Sequence, residues 1–375
     1  MIGVCKETAK NEKRIAITPE GVKKLAGNGV KVTIESKAGI ESSYSNQDYI
    51  EAGAAIAETR DEILATCDIL LAVQAPEVSD LLIMKEGSVL ISFIWPLQNA
   101  DYVEVLKKQK ISGMAMDTIP RISRAQSMDA LSSMSNIAGY KAVLLGANQL
   151  DKYLPMMMTA AGTIPPAKVL VLGAGVAGLQ AIATAKRLGA VVEAFDIRPV
   201  VKEQVESLGA SFVEVPSIDE EEAETKGGYA KEQSERNKER QQEVVHQHVK
   251  KSDIVITTAL IPGRPAPKLI FKAMVEDMNA GSVVVDIAAE QGGNCELTKA
   301  GETVIHNGVA IIGPLNMPSM LAFHASKLYS KNLLSLLDLL LEEGKPNFNF
   351  DDEIIINATV THNGELISPF VKENM

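Results

Sequence analysis

The chain is short of cysteine, of excess positive charge and of long apolar runs, and each shortage excludes a class of protein. Only Cys5, Cys67 and Cys295 occur in 375 residues, too widely separated for a disulfide framework or a zinc site. They read as buried free thiols in a reducing compartment. No stretch approaches the roughly 18 apolar residues needed to span a bilayer. The opening MIGVCKE resembles a strand and lacks the apolar core of a signal peptide. The expectation is a soluble, cytoplasmic chain. Lys and Arg total 37 against 48 Asp and Glu, a net charge of −11, so no nucleic-acid surface is expected. The five histidines offer no obvious general acid or base. His246 and His248 lie in a polar helix, His306 beside an Asn-Gly turn, His324 on a linking helix and His362 in the tail. Triad and metal sites find no support.

What remains is an ordinary globular composition, 46% hydrophobic and 23% charged, with length for two domains. Strands and helices alternate from the start, which implies βαβ units and mostly parallel sheets. Ile2 to Cys5 reads as a strand. A helix capped by Thr18 runs to Ala26, with Gly27 just past its end. VKVTIES, DILLAV, SVLISFI and ISGMAMD follow as strands, with Asp61–Ala65 helical, and no glycine fingerprint appears in this series. A second series starts at KVLVLGAGVAGLQ and continues through VVEAFD, SFVEV, DIVITT, SVVVDIA and VAIIG.

The fold class is therefore α/β: two Rossmann-like open parallel-sheet domains joined by long helices, with a cleft between them. Residues 1–125 plus 330–375 form the first domain and 140–315 the second, linked by helices over 126–139 and 316–329. The tail from Phe348 to Phe370 reads as paired strands about an Asn363-Gly364 turn, either a surface hairpin or a contact with a second subunit.

The strongest motif is Gly173-Ala174-Gly175-Val176-Ala177-Gly178, which follows the apolar strand VLVL and opens an apolar helix. Gly173 permits the tight turn, Gly175 lets the backbone approach a pyrophosphate, and Gly178 lets helix and strand pack closely. The helix N-terminus offers N–H groups and a positive dipole end to phosphates. Asp196 ends the next strand, eighteen residues past the last glycine. A carboxylate there accepts ribose hydroxyls and repels a 2′-phosphate, which selects NAD over NADP. Ile197 and Arg198 follow it. Arg198 alone would favour NADP, but the aspartate holds the discriminating strand end. TTALIPG, with Ala259 and Leu260, would line the same crevice, as would DIAAEQGGN, although glycines there also suit plain turns.

RISRAQSMD, residues 121–129, sets a cluster of polar side chains before an apolar helix. One reading is a capped helix start, with Ser127 as N-cap and Asp129 favourable to the dipole. The other places Gln126 against a nicotinamide carboxamide, since its amide both donates and accepts, with Arg121 and Asp129 as an ion pair that holds the loop. The very hydrophilic stretch around Gly227, Gly228 and Tyr229 is either a flexible lid or a solvated loop.

RISRAQSMD, PMMMTAAGTIPPAKVLVLGAGVAGLQAIATAKRLGA, KGGYAKE and ITTALIPG together resemble one family, the NAD(H)-binding domain of proton-translocating transhydrogenase. The resemblance covers essentially the whole chain, and split forms carry this domain as a separate soluble alpha-subunit polypeptide. It implies that Arg121, Gln126, Ser127, Met128, Asp129 and Ser132 shape the nicotinamide pocket. It implies further that Val176, Asp196, Ile197 and Arg198, with Ala259 and Leu260, contact the rest of the NAD(H), and that Gly228 and Tyr229 belong to a mobile loop. The implied enzyme is a Re/Si-specific transhydrogenase, active only with its partner subunits. The implied assembly is a homodimer docked to the NADP(H)-binding domain of a beta subunit and to a membrane-spanning proton-channel subunit, which would hold the chain at the inner membrane.

Alanine dehydrogenase shares the KRIAITPE segment around Arg14 and is the nearest alternative. That family adds a lysine in the segment aligned to LLAVQAPE and a histidine near FIWP. This chain has Gln74 and Trp95 there, so the groups that would bind a keto acid and move its proton are missing. A redox-sensing NAD module without turnover is a third reading. Direct hydride transfer between nicotinamides needs no protein acid or base, only ring carbons held about 3–3.5 Å apart away from water.

Overall fold

Apolar runs such as Val89–Phe93 are buried along their whole length, as strands covered by helices on both faces must be. The computed structural model describes residues 1–215, 235–261 and 264–375. It divides into two units, one of Met1–Met134 with Ser319–Met375 and one of Ser135–Pro318.

The first unit holds β1 (Ile2–Val4), β2 (Val32–Glu35), β3 (Ala55–Ala57), β4 (Ile69–Gln74), β5 (Val89–Phe93) and β6 (Ser112–Ala115). They form one sheet in the order β3-β2-β1-β4-β5-β6, and each pairing is parallel. The expected strands are present, and the three-residue edge strand β3 is one the sequence reading lacked. The helix Pro19–Gly27 begins after Thr18, but the Thr18 hydroxyl makes no cap bond to it. The Thr18 N–H instead donates to Ser330 Oγ at 3.2 Å. Gly27 falls inside the helix, and the left-handed residue is Gly29, at φ 77°.

The long helix Ala322–Leu340 is the spine of this unit. Ser326 Oγ accepts the Ile15 N–H at 2.9 Å, and the Tyr329 hydroxyl donates to the Ala72 carbonyl at 2.9 Å. The expected tail of paired strands is instead a short helix followed by a small hairpin. Asp352 caps a helix over Glu353–Ala358 by accepting the Ile354 N–H, and Ile354, Ile355 and Ala358 are buried. The apolar run is thus a one-sided helical face. The hairpin about Asn363-Gly364 exists, but each arm is two residues, Thr361–His362 and Glu365–Leu366.

The helix Ala130–Gln149 follows, then a hairpin of β7 (Met157–Thr159) and β8 (Gly162–Ile164), a feature the apolar PMMM run had hidden. The second unit continues with β9 (Lys168–Leu172), β10 (Val191–Phe195), β11 (Ser211–Phe212), β12 (Ile254–Thr257), β13 (Val283–Asp286), β14 (Thr303–His306) and β15 (Val309–Ile312). Its order is β11-β10-β9-β12-β13-β15-β14. The expected parallel sheet carries one antiparallel edge, β14 against β15, turned at Asn307 and Gly308 with φ 48° and 79°. Along β9 the pleat sends Val169 and Val171 into one apolar cluster and Leu170 and Leu172 into another. Strand order reverses between β9 and β12, the topological switch point at which open α/β sheets bind ligands.

Candidate functional site

The turn after β9 carries the glycine motif. Gly173 has φ 99°, a conformation open to glycine and costly for other residues. A Cβ on Gly178 would lie 1.8 Å from the Gly173 carbonyl oxygen, whereas one on Gly175 would meet nothing within 4 Å. So Gly178 is required by packing, and Gly175 presents bare backbone to open space. Gly175 is also the N-cap of the helix Val176–Arg187 and makes no side-chain cap bond. The first N–H groups of that helix are left for an anion. Val176, 42% exposed, lies on the open side.

Asp196 stands at the end of β10. One carboxylate oxygen accepts the Ala174 N–H at 2.7 Å, and Arg198 folds back to donate Nε at 2.9 Å and Nη2 at 2.8 Å. The Arg198 N–H adds a fourth bond at 2.9 Å. The pair is largely buried, with side chains 15% and 7% exposed. Ile197 between them packs into the core cluster beneath.

The loop after β12 reaches the same turn, since Thr258 Oγ1 donates to the Gly173 carbonyl at 3.1 Å. Ala259 and Leu260 follow, and Asn294, the last residue of the DIAAEQGGN segment expected along the same crevice, clamps Ala259 on both sides. Its Oδ1 accepts the Ala259 N–H at 3.0 Å and its Nδ2 donates to the Ala259 carbonyl at 2.8 Å. Asp286 in turn shapes DIAAEQGGN by accepting from Thr257, Thr298, Ala288 and Cys295. Gly139 was also missed. A Cβ there would sit 2.0 Å from the Ala177 carbonyl oxygen, so it lets the helix Ala130–Gln149 press on the start of Val176–Arg187. A glycine inside a helix costs about 1 kcal/mol against alanine, and that misfit was the available signal.

In the first unit, residues 123–128 of RISRAQSMD form a 3-10 turn. Arg121, Gln126 and Ser127 are exposed, and Met128 is buried. The helix that follows is capped by Asp129 rather than Ser127. Asp129 Oδ1 accepts the Ser132 N–H at 2.8 Å, and Oδ2 accepts the Ser132 hydroxyl at 2.6 Å. Asp129 and Ser132 are thus brought together as one cap. Gly228 and Tyr229 lie outside the described residues, as do Pro262 and Gly263 of TTALIPG.

Arg14 of the KRIAITPE segment has its guanidinium occupied. Nε and Nη2 donate to the Glu12 carboxylate at 2.7 and 2.6 Å, with the two side chains 3% and 0% exposed. Gln74 Nε2 donates to the same carboxylate at 2.9 Å. Burial pushes the Glu12 carboxyl up, but the Arg14 bonds and charge and the Gln74 amide outweigh it and hold it at about 2. Trp95 takes φ 52°, a strained value for an aromatic residue. Asp117 braces it by accepting the Ile94 and Trp95 N–H groups at 2.8 and 3.1 Å. A cavity of about 80 Å³ lined by Cys5, Glu7, Arg60 and Gln74 is far below the roughly 300 Å³ of a ligand pocket. All three cysteines are free and buried. Among the described residues no acidic, His or Cys cluster is placed to hold a metal, and no helix is long and apolar enough to cross a membrane.

Family models for the N-terminal and C-terminal domains of alanine dehydrogenase/PNT match residues 3–138 and 142–369. The chain is 48% identical over 375 residues to a NAD(P) transhydrogenase alpha subunit of Rhodospirillum rubrum, covering 98% of each chain. It is 43% identical to the crystal structure of transhydrogenase from Sinorhizobium meliloti, with a TM-score of 0.88 over 98% of this chain and 99% of that one. Alanine dehydrogenases are more distant: that of Methanococcus maripaludis is 29% identical over 382 residues, covering 98% of this chain and 94% of its own.

Proposed function

The chain belongs to the alanine dehydrogenase/PNT family, within which its high-identity relatives are NAD(P) transhydrogenase alpha subunits, and on that premise we propose that it is the NAD(H)-binding component of a proton-translocating transhydrogenase. The residues present fit the dinucleotide. The helix beginning at Val176 has an uncapped N-terminus and Gly175 leaves its approach open, and Asp196 at the end of β10 would meet an adenosine ribose. Gly173, Gly175, Val176 and Gly178 would cradle the pyrophosphate. Asp196, Ile197 and Arg198 would meet the adenosine half, with Ala259 and Leu260 alongside.

At the nicotinamide end, Gln126 would hold the carboxamide. Arg121, Ser127, Met128, Asp129 and Ser132 would keep that turn in place, and Gly228 with Tyr229 would contact the same nucleotide. NADH held there would supply a hydride for NADP⁺ on a partner domain. The protein's task is to orient the ring and exclude water, because no proton moves with the hydride. The proposed assembly is a homodimer with the NADP(H)-binding domain of a beta subunit and a membrane-spanning proton-channel subunit, which would hold the chain at the inner membrane.

The observation that carries the choice over an amino acid dehydrogenase is the closed Glu12–Arg14–Gln74 network. The guanidinium that would bind a keto acid is already neutralised by a buried carboxylate. The test is hydride exchange between NADH and an NADPH analogue on an NADP(H)-binding partner domain, run beside NADH with pyruvate and ammonium. Turnover in the first mixture supports the reading, and turnover in the second alone overturns it.

A further inference from the structure

Asn332 lies on the helix Ala322–Leu340 and is 5% exposed. Its Nδ2 donates to the main-chain carbonyl of Ser127 at 2.9 Å, one residue beyond Gln126. Its Oδ1 is buried and has no hydrogen-bond partner among the described residues. Judged by stability alone this is a poor use of a buried position. An orphaned acceptor costs more to desolvate than one neutral hydrogen bond returns net. An apolar residue of similar size would fill the space without that cost. Polar neighbours on the same helix are better matched: Ser330 Oγ accepts the Thr18 N–H, and Ser326 Oγ bonds both Ile15 N–H and Ser42 Oγ.

The turn that Asn332 touches needs an outside anchor. A 3-10 segment has poor internal geometry, and its ends are tied to the flanking chain by Ile122 N–H to Pro120 at 3.0 Å, Ala125 N–H to Ile122 at 3.0 Å and Asp129 N–H to Gln126 at 3.3 Å. On the other side of Gln126, Arg124 pairs with Asp352 at 2.7 and 2.9 Å. That arginine is 54% exposed, so solvent screens the pair and little is gained from it. The buried anchor is the one that holds.

We propose that Asn332 is a positioning residue for the proposed hydride transfer: it fixes the Ser127 carbonyl and thereby sets where the Gln126 amide stands. The inference rests on the reading of Gln126 given above. Losing the bond lets the turn drift, and misplacement of a reacting group by about an ångström costs up to about a hundredfold in rate.

The experiment compares Asn332→Leu and Asn332→Ala with Arg124→Ala in the full chain. Four readings are taken: amide hydrogen exchange over residues 123–128 without nucleotide, thermal unfolding, NADH affinity by fluorescence, and kcat with an NADP(H)-binding partner domain. Both Asn332 variants are expected to exchange faster in that segment and to lose about tenfold in kcat, with NADH affinity within about twofold. Arg124→Ala is expected to stay within about twofold throughout. Unchanged exchange in a folded variant overturns the proposal. So does a kcat loss matched by an equal loss of affinity, or failure of both variants to fold, which would make Asn332 a packing residue. If the parent chain transfers no hydride, the functional reading fails, and the exchange measurement still decides whether Asn332 anchors the turn.

Discussion

The carboxylate of Asp196 accepts the main-chain N–H of Ala174 at 2.7 Å, joining the end of β10 to the glycine turn after β9. The group proposed to read the ribose is therefore also a brace for the loop proposed to hold the pyrophosphate, and Arg198 neutralises it from the other side.

Replacing Asp196 with asparagine keeps an acceptor for Ala174 and removes the charge. A unit charge about 4 Å from a phosphate oxygen is worth about 4 kcal/mol at an effective dielectric of about 20, less when screened. Asp196→Asn is expected to narrow the preference for NADH over NADPH by at least about tenfold in competitive titration, with Arg198 released to pair with the 2′-phosphate. An unchanged ratio would remove Asp196 from the discriminating role.

The two glycines of the turn should fail differently. Gly178→Ala puts a methyl 1.8 Å from a main-chain oxygen and is expected to cost the second unit about 1–3 kcal/mol or more as well as NADH binding. Gly175→Ala meets no protein atom within 4 Å at a φ of −76°. Its melting temperature should stay within a few degrees while NADH affinity falls, because the methyl stands where the phosphates approach. Calorimetry beside NADH titration separates the two.

Much of the second unit was legible in the sequence because its signals are local. The buried strand VLVL, the glycines and the aspartate eighteen residues on each carry a conformational or charge requirement within one βαβ unit. The first unit was less legible. IIINA has the composition of a strand and folds as a helix because Asp352 caps it and the chain needs only one buried face there. Asn294, Asn332 and Glu12 act through partners distant in the chain or through pairing that composition does not reveal. Among the site residues, Ser127 was misread as the cap because serine and aspartate both suit that position. The side chain that reaches Ser132 decides it for Asp129.

The Glu12–Arg14 pair predicts an acid response. The Glu12 carboxyl sits at about 2 in the folded chain against an ordinary value of about 4.3. A depressed pKa contributes stability that is fully present above about pH 4.3 and lost as the pH falls toward 2. Glu12→Gln removes the carboxylate to which Nε and Nη2 of buried Arg14 donate, at a cost of about 3–5 kcal/mol. Urea unfolding followed through Trp95, the single tryptophan, reports on the first unit. The gap between parent and variant should shrink between about pH 4 and 2. A gap that holds steady across that window would count against the pairing.

Gln126→Ala removes the side chain proposed to grip the carboxamide and leaves the turn, which is held by main-chain bonds, Asp129 and Asn332. It is expected to lower the transfer rate by about a hundredfold with NADH affinity changed by no more than about threefold. Equal losses in both quantities, or in neither, would assign Gln126 another role.

In the proposed function hydride passes directly between two nicotinamides, with no proton exchanged through the protein. NADH deuterated at both C4 positions, incubated in ordinary water with this chain, an NADP(H)-binding partner domain and NADP⁺, tests it by mass spectrometry of the product. The expected product is NADPH carrying one deuteron per turnover, with none released to solvent. Unlabelled NADPH, or label appearing in alanine when pyruvate and ammonium replace the partner, would contradict it.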